Sequence, residues 1–189
     1  MWYWYKAGLT VRQGKNVKDL TNRLFSSCFI AVLALSVLSG CDGVDSFKLD
    51  LARGGTVPAS VNKIESDVES WKEICSMDIA DHLHEQRISD LRAAKKPFLV
   101  VFGTPQHCTM CVDQLIRVSG LKEKYGDRFA FLHSDGYREN PIWVDWGIKG
   151  EPWTFFVDGE GKVRQLFPGP TDIALMEAEI DKLLAEDGS

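Results

Sequence analysis

The sequence predicts an α/β protein: a three-layer α/β/α sandwich around a mixed sheet, with an extra helical segment at its N-terminal side. Three observations carry this. Phe98-Leu99-Val100-Val101-Phe102 is a short, continuous apolar run, as expected of a strand covered on both faces. A stretch of helical periodicity separates it from a second apolar run, Phe129 to His133, which is the pattern of parallel strands joined by a crossover helix. Then Trp153 to Val157 and Lys162 to Phe167 flank Asp158-Gly159-Glu160-Gly161, a strong hairpin signal.

In chain order, the first forty residues read as an address rather than as fold. Lys15, Lys18 and Arg23 form a positive region, and Phe25 to Leu38 is an uncharged apolar run of roughly 14 residues, short of the ~20 that span a bilayer. Leu38-Ser39-Gly40-Cys41 then ends the run on a cysteine. This resembles the bacterial lipoprotein signal, the alternative being an uncleaved signal anchor. The resemblance implies cleavage before Cys41, lipidation of its sulfur, and a lipid anchor on the extracytoplasmic (periplasmic) face of the cell membrane. Cys28 would leave with the signal, and Asp42 hints at inner-membrane retention. The aromatic start, Met1 to Tyr5, fits no signal region and suggests a start site assigned too early. Asp42 to Ala59 is rich in Gly, Asp and Ser and reads as a tether. The expected organisation is a signal peptide over 1–40, a lipidated cysteine with flexible tether over 41–59, and one folded domain over 60–189.

Within that domain, Ser60 can cap a helix that places Ile64, Val68, Trp71 and Cys75 on one face. Cys75 then reads as a small buried apolar residue, with a redox or ligand role as the alternative. A second helical stretch covers about Ile79 to Lys95 and ends before Pro97. After β-strand 98–102 and a Gly-Thr-Pro loop, Thr109 to Lys124 is helical, with Cys111, Leu115, Val118 and Leu121 on one face. Thr171 or Asp172 caps a last helix carrying Ile173, Met176, Ile180 and Leu183.

Composition excludes some functions. With 189 residues, 44% hydrophobic, 26% charged and a net charge of −5, the chain has material for a proper core but no clustered cations for nucleic acid. Five cysteines are too few for a disulfide-stapled mini-protein.

The chemistry lies in Cys108-Thr109-Met110-Cys111, at the junction of the buried strand and the following helix. A helix N-terminus offers unpaired N–H groups and a positive dipole end that favour a thiolate. The two-residue gap lets a disulfide close, so Cys108 can attack a substrate disulfide and Cys111 resolve the mixed species. Zinc is the rival for such a pair, but a structural site needs four ligands. There is no second C-x-x-C, and His82 and His84, two apart on a helix, would diverge. A peroxidase reading lacks Thr three residues before Cys108, where Pro105 stands. A purely structural disulfide is a further alternative. No metal or other cofactor is expected.

Pro97 through Cys111, with Trp146-Gly147-Ile148-Lys149-Gly150-Glu151-Pro152-Trp153-Thr154, resembles the thioredoxin superfamily over about Lys95 to Leu184. The resemblance implies a thiol–disulfide oxidoreductase acting on protein disulfides or dithiols, in cytochrome or other envelope-protein maturation as a candidate pathway. It also implies a cis Pro152 that binds the substrate's extended chain opposite the cysteines. Two departures stand out. Phe102 occupies the place of a buried carboxylate that helps move the resolving cysteine's proton. Glu151 precedes the proline where an apolar residue is usual, so its carboxylate is expected to oppose the Cys108 thiolate or to relay a proton. His107, if charged, would favour the thiolate. His133 reads as packed or solvent-facing rather than as a ligand, and Trp143, Trp146 and Trp153 as core or groove. Two competing functions remain: a copper metallochaperone using His133 or His107 with the cysteines, and a lipoprotein that keeps the fold for binding alone. The upstream redox partner and the direction of exchange are not legible.

Overall fold

The computed structural model describes Leu51, residues 54–78 and residues 81–187. The expected signal over 1–40, Cys28, Cys41, Asp42 and most of the expected tether lie outside the described residues, as does Ile79.

Strand β1 (Phe98–Phe102) is the spine of a four-stranded sheet. It pairs in parallel with β2 (Ala130–Ser134), with Val101 opposite His133, and antiparallel with β3 (Trp153–Val157), with Phe102 opposite Trp153. β3 pairs antiparallel with β4 (Val163–Pro168), giving the order β2-β1-β3-β4. Because side chains alternate along a strand, β1 feeds two cores. Phe98, Val100 and Phe102 join Ile88, Leu91, Ile142 and Trp146 on one face. Leu99 and Val101 join Leu115, Val118, Met176 and Ile180 on the other. The first face is therefore covered by helices α1 (Ile88–Ala93) and α3 (Asn140–Asp145), the second by α2 (Thr109–Tyr125) and α4 (Ile173–Asp187). This is the expected three-layer sandwich, and its strand order and directions make the fold thioredoxin-like. Each wholly buried Leu, Val or Phe of β1 contributes about 1.5–3 kcal/mol by leaving water.

α2 holds the layers in register through a buried amide. Gln114 Nε2 donates to Thr154 Oγ1 at 3.1 Å, and its Oε1 accepts from Thr171 N–H at 2.9 Å. Trp146, left between core and groove by the sequence, is core at 1% exposed; Trp143 and Trp153 are partly buried against it. Ile173 is exposed, whereas Met176, Ile180 and Leu183 are buried as expected.

Ahead of β1 the expectations fail. The helix over Ser60 to Cys75 is replaced by two single 3-10 turns, Glu65–Asp67 and Trp71–Glu73, with Ile64 and Val68 extended. Carboxylates take two backbone donors from the interior of the expected helix: Ile64 N–H donates to Asp67 Oδ2 and Ser70 N–H to Glu73 Oε1, while Lys63 N–H donates to Glu139 Oε1. The second expected helix shrinks to α1. His82 stands at positive φ (57°), Glu65 N–H donates to His84 O, and His133 N–H donates to Leu83 O. Residues 54–59, expected as part of the tether, are instead packed against the domain. Val57 is buried with Leu51 in the first core, Val57 N–H donates to Gly161 O, Val163 N–H to Gly55 O, and Thr56 bridges Lys162. Apolar contacts and these backbone bonds hold 54–59 to the domain.

Candidate functional site

The chain leaves β1 at Phe102, crosses Gly103 to His107, and enters α2 with Cys108 as its N-cap. Cys108 and Cys111 are disulfide-bonded, with Cα atoms 5.2 Å apart. The Cys111 N–H, in the first turn of the helix, is shared between Cys108 O at 3.0 Å and Cys108 Sγ at 3.1 Å. Cys111 is wholly buried, while Cys108 is intermediate in exposure. Gly103 makes room for the pair: a Cβ there would lie 3.1 Å from Cys111 Cβ and 3.3 Å from its Sγ.

The Glu151–Pro152 peptide is cis, as the resemblance implied. Trp153 pairs with Phe102, so Pro152 sits beside the start of the cysteine loop. Glu151 reaches across to that loop. Its Oε2 accepts the Thr104 N–H at 2.6 Å, and its Oε1 lies 2.7 Å from His107 Nε2. A carboxylate oxygen of Glu151 is within 4.8 Å of both sulfurs. The sequence set Glu151 and His107 against each other as separate influences on Cys108; they are partners, and each dilutes the other's field. His107 also stacks near Tyr137, ring centroids 5.1 Å apart. Phe102 is wholly buried among Trp143, Trp146 and Phe155, so no acid stands at that position.

Chemically, this arrangement offers a less buried cysteine at a positive helix end, bonded to a wholly buried one. Those features suit nucleophilic attack at Cys108 and intramolecular resolution by Cys111.

His133 is not part of it. Buried on β2, it meets three residues from the segment ahead of β1: Cys75, Asp81 and His84. His133 Nδ1 lies 2.7 Å from Asp81 Oδ2, 3.0 Å from His84 Nε2 and 3.7 Å from Cys75 Sγ. Burial, with the neighbouring His133, drives the His84 pKa down to about 3, so its ring is neutral. Sequence reasoning missed this group. It had assigned Cys75 to a helix face that does not form, and had dismissed His82 and His84 as diverging. They do diverge, His82 being exposed, but His84 turns inward. Nothing in the spacing of residues 75, 81, 84 and 133 signals their meeting.

Glu139 is a further buried acid the sequence did not flag. Burial raises its pKa to about 7, against the Lys63 N–H donated to Oε1.

No family model matches the chain. It is 36% identical over 65 residues to the thiol:disulfide interchange protein DsbE of Allochromatium vinosum, covering 34% of this chain and 35% of that protein. It is 41% identical over 69 residues to the thiol:disulfide interchange protein HelX of Rhodobacter capsulatus, covering 36% and 38%. The chain thus spans little more than a third of the length of these two curated relatives. Among solved structures, a thioredoxin from Nicotiana alata superposes with a TM-score of 0.44 at 20% identity, covering 50% of this chain and 81% of that one.

Proposed function

We propose that the chain is a thiol–disulfide oxidoreductase that exchanges disulfides with extracytoplasmic proteins. The observation that carries this is the unequal burial of two disulfide-bonded cysteines at a helix N-terminus beside cis Pro152. When the pair is reduced, the Cys108 thiolate attacks one sulfur of a substrate disulfide and the other leaves as a thiolate. Cys111 then attacks Cys108 Sγ, the second substrate thiolate leaves, and the pair is again a disulfide; the reverse sequence oxidises a substrate dithiol. Pro152 and Glu151 line the substrate side of the site, and the Glu151–His107 pair sets the charge that Cys108 experiences. Thiol:disulfide interchange is also what the names of both curated relatives describe.

The proposed setting is the periplasmic face of the membrane, with residues 1–40 removed and Cys41 lipidated. No helix among the described residues is long and apolar enough to cross a membrane. Fatty-acid labelling lost in Cys41→Ser tests the anchor. Envelope-protein maturation, including that of cytochromes, is the proposed context.

The test of the activity is mixed-disulfide trapping. With a disulfide-bonded peptide, Cys111→Ser accumulates a covalent adduct and Cys108→Ser does not. Insulin turnover abolished by Cys108→Ser excludes a binding-only protein; turnover that persists in that variant, or is absent from the wild type, overturns the reading. Against the copper alternative, His133 clusters with Cys75, Asp81 and His84 rather than with the cysteine pair, and His107 lies against Glu151.

A further inference from the structure

We infer that Cys75, Asp81, His84 and His133 form a second, metal-binding site that takes one zinc-type divalent cation. All four side chains are buried, at 0%, 6%, 0% and 1% exposed. Each offers one ligand atom, and those four atoms lie within 4.8 Å of one another. One thiolate, two imidazoles and one carboxylate is a donor set that suits tetrahedral zinc rather than calcium or magnesium.

Hydrogen bonding supplies a separate argument. His133 Nε2 lies 2.9 Å from Gly103 O. A carbonyl only accepts, so Nε2 carries a proton, and once Nδ1 gives up any proton of its own it offers a lone pair. That lone pair faces the Asp81 carboxylate, a nitrogen of His84 and the Cys75 sulfur. A single proton placed on Nδ1 can be donated well to only one of these three. A cation at their centre accepts from all four. A backbone carbonyl fixing the far nitrogen of a ligating histidine is also the usual outer-shell arrangement at zinc.

The distances fit. Bonds of about 2.0 Å to nitrogen or oxygen and 2.3 Å to sulfur put tetrahedral ligands about 3.3–3.6 Å apart. The 3.7 Å His133–Cys75 separation lies close to that range. The 2.7 and 3.0 Å contacts need to open by only some tenths of an ångström. His84 Nδ1 has no protein partner, and Asp81 is oriented by the Leu83 N–H on Oδ1.

Such an ion would join two stretches ahead of β1, at Cys75 and at 81–84, to β2. Through the His133–Gly103 bond it would brace the loop that carries Cys108. The inference does not depend on the redox reading, since Cys108 and Cys111 are not ligands.

The test uses the full chain with the Cys108–Cys111 disulfide closed, so that neither sulfur can bind metal. The protein is stripped with chelator and titrated with Co²⁺, then with Zn²⁺. One equivalent of Co²⁺ is expected, with the intense visible bands of a tetrahedral ion and a thiolate-to-cobalt charge-transfer band, and Zn²⁺ should displace it. Cys75→Ser should abolish the charge-transfer band, and His84→Ala should weaken zinc binding by more than about 100-fold, beyond what loss of an outer-shell partner costs. The double variant Cys108→Ser, Cys111→Ser should still take one equivalent. Absence of stoichiometric binding by the wild-type chain overturns the inference whether or not any variant folds. So does a charge-transfer band that survives Cys75→Ser. Insulin turnover by the same preparations reports separately on the redox reading.

Discussion

Glu151→Gln isolates the electrostatics of the cysteine site. The amide oxygen can still accept the Thr104 N–H that Glu151 Oε2 takes at 2.6 Å, so the loop keeps its tie while the negative charge is lost. That charge lies within 4.8 Å of the Cys108 sulfur. Two like unit charges at that distance repel by about 1 kcal/mol in bulk water and about 3 kcal/mol at an effective dielectric of ~20. The Glu151 side chain is 18% exposed, between those limits, and His107 at 2.7 Å offsets part of its field. The pH midpoint for alkylation of Cys108 in the reduced protein is therefore expected to fall by about one unit, within an outer range of roughly 0.6–2.5. Stabilising the thiolate stabilises the reduced form, so the couple becomes more oxidising by about 30 mV, within an outer range of roughly 20–75 mV. Alkylation followed by mass spectrometry across a pH series reads the midpoint, and equilibration with glutathione reads the potential. His107→Ala is the matching control and is expected to move the midpoint upward. A midpoint that rises in Glu151→Gln, or stays fixed in both variants, refutes the argument that this pair sets the charge at Cys108.

Two further predictions concern stability. Glu139 holds its proton more tightly folded, with a pKa of about 7, than unfolded at 4.5. Its contribution is present in full below pH 4.5 and is lost as pH rises to about 7, an order-of-magnitude change of about 3 kcal/mol. Denaturant titrations should show that decline in the wild type but not in Glu139→Gln, which keeps an acceptor for Lys63 N–H; parallel curves for the two proteins would count against a buried acid. Gly103→Ala should destabilise the fold by about 1–3 kcal/mol, because its Cβ falls 3.1 Å from Cys111 Cβ and 3.3 Å from its Sγ, in a wholly buried side chain held by the disulfide. An unchanged melting temperature in both the oxidised and reduced protein would show that α2 yields freely at its first turn.

Legibility in the sequence followed the kind of interaction involved. β1 and β3 were readable to the residue, and β2 and β4 each lie one residue farther along than read. Short apolar runs between turn residues leave few alternatives for a strand buried on both faces. The cis Pro152 and the Cys108–Cys111 bond were legible through local motif. Residues 60–95 were not, although Ile64, Val68, Trp71 and Cys75 have helical spacing. Periodicity reports where apolar side chains would fall if the backbone bonded to itself, and here carboxylates of Asp67 and Glu73 take two of its donors. The pairing of Glu151 with His107, and the meeting of His133 with Cys75, Asp81 and His84, are long-range polar contacts with no period and no local signature.

The backbone bonds made by the stretch ahead of β1 bear on how the molecule behaves in crowded company. An open sheet has two borders whose free N–H and C=O groups can template a strand from another molecule. Here β2 gives the His133 N–H to Leu83, and the start of β4 is met by Gly55 to Val57. Trimming the chain back to a minimal fold beginning at β1 would strip both guards at once. The shortened protein, which also loses Ile88 and Leu91 from the first core, is then expected to form strand-swapped aggregates as its concentration rises.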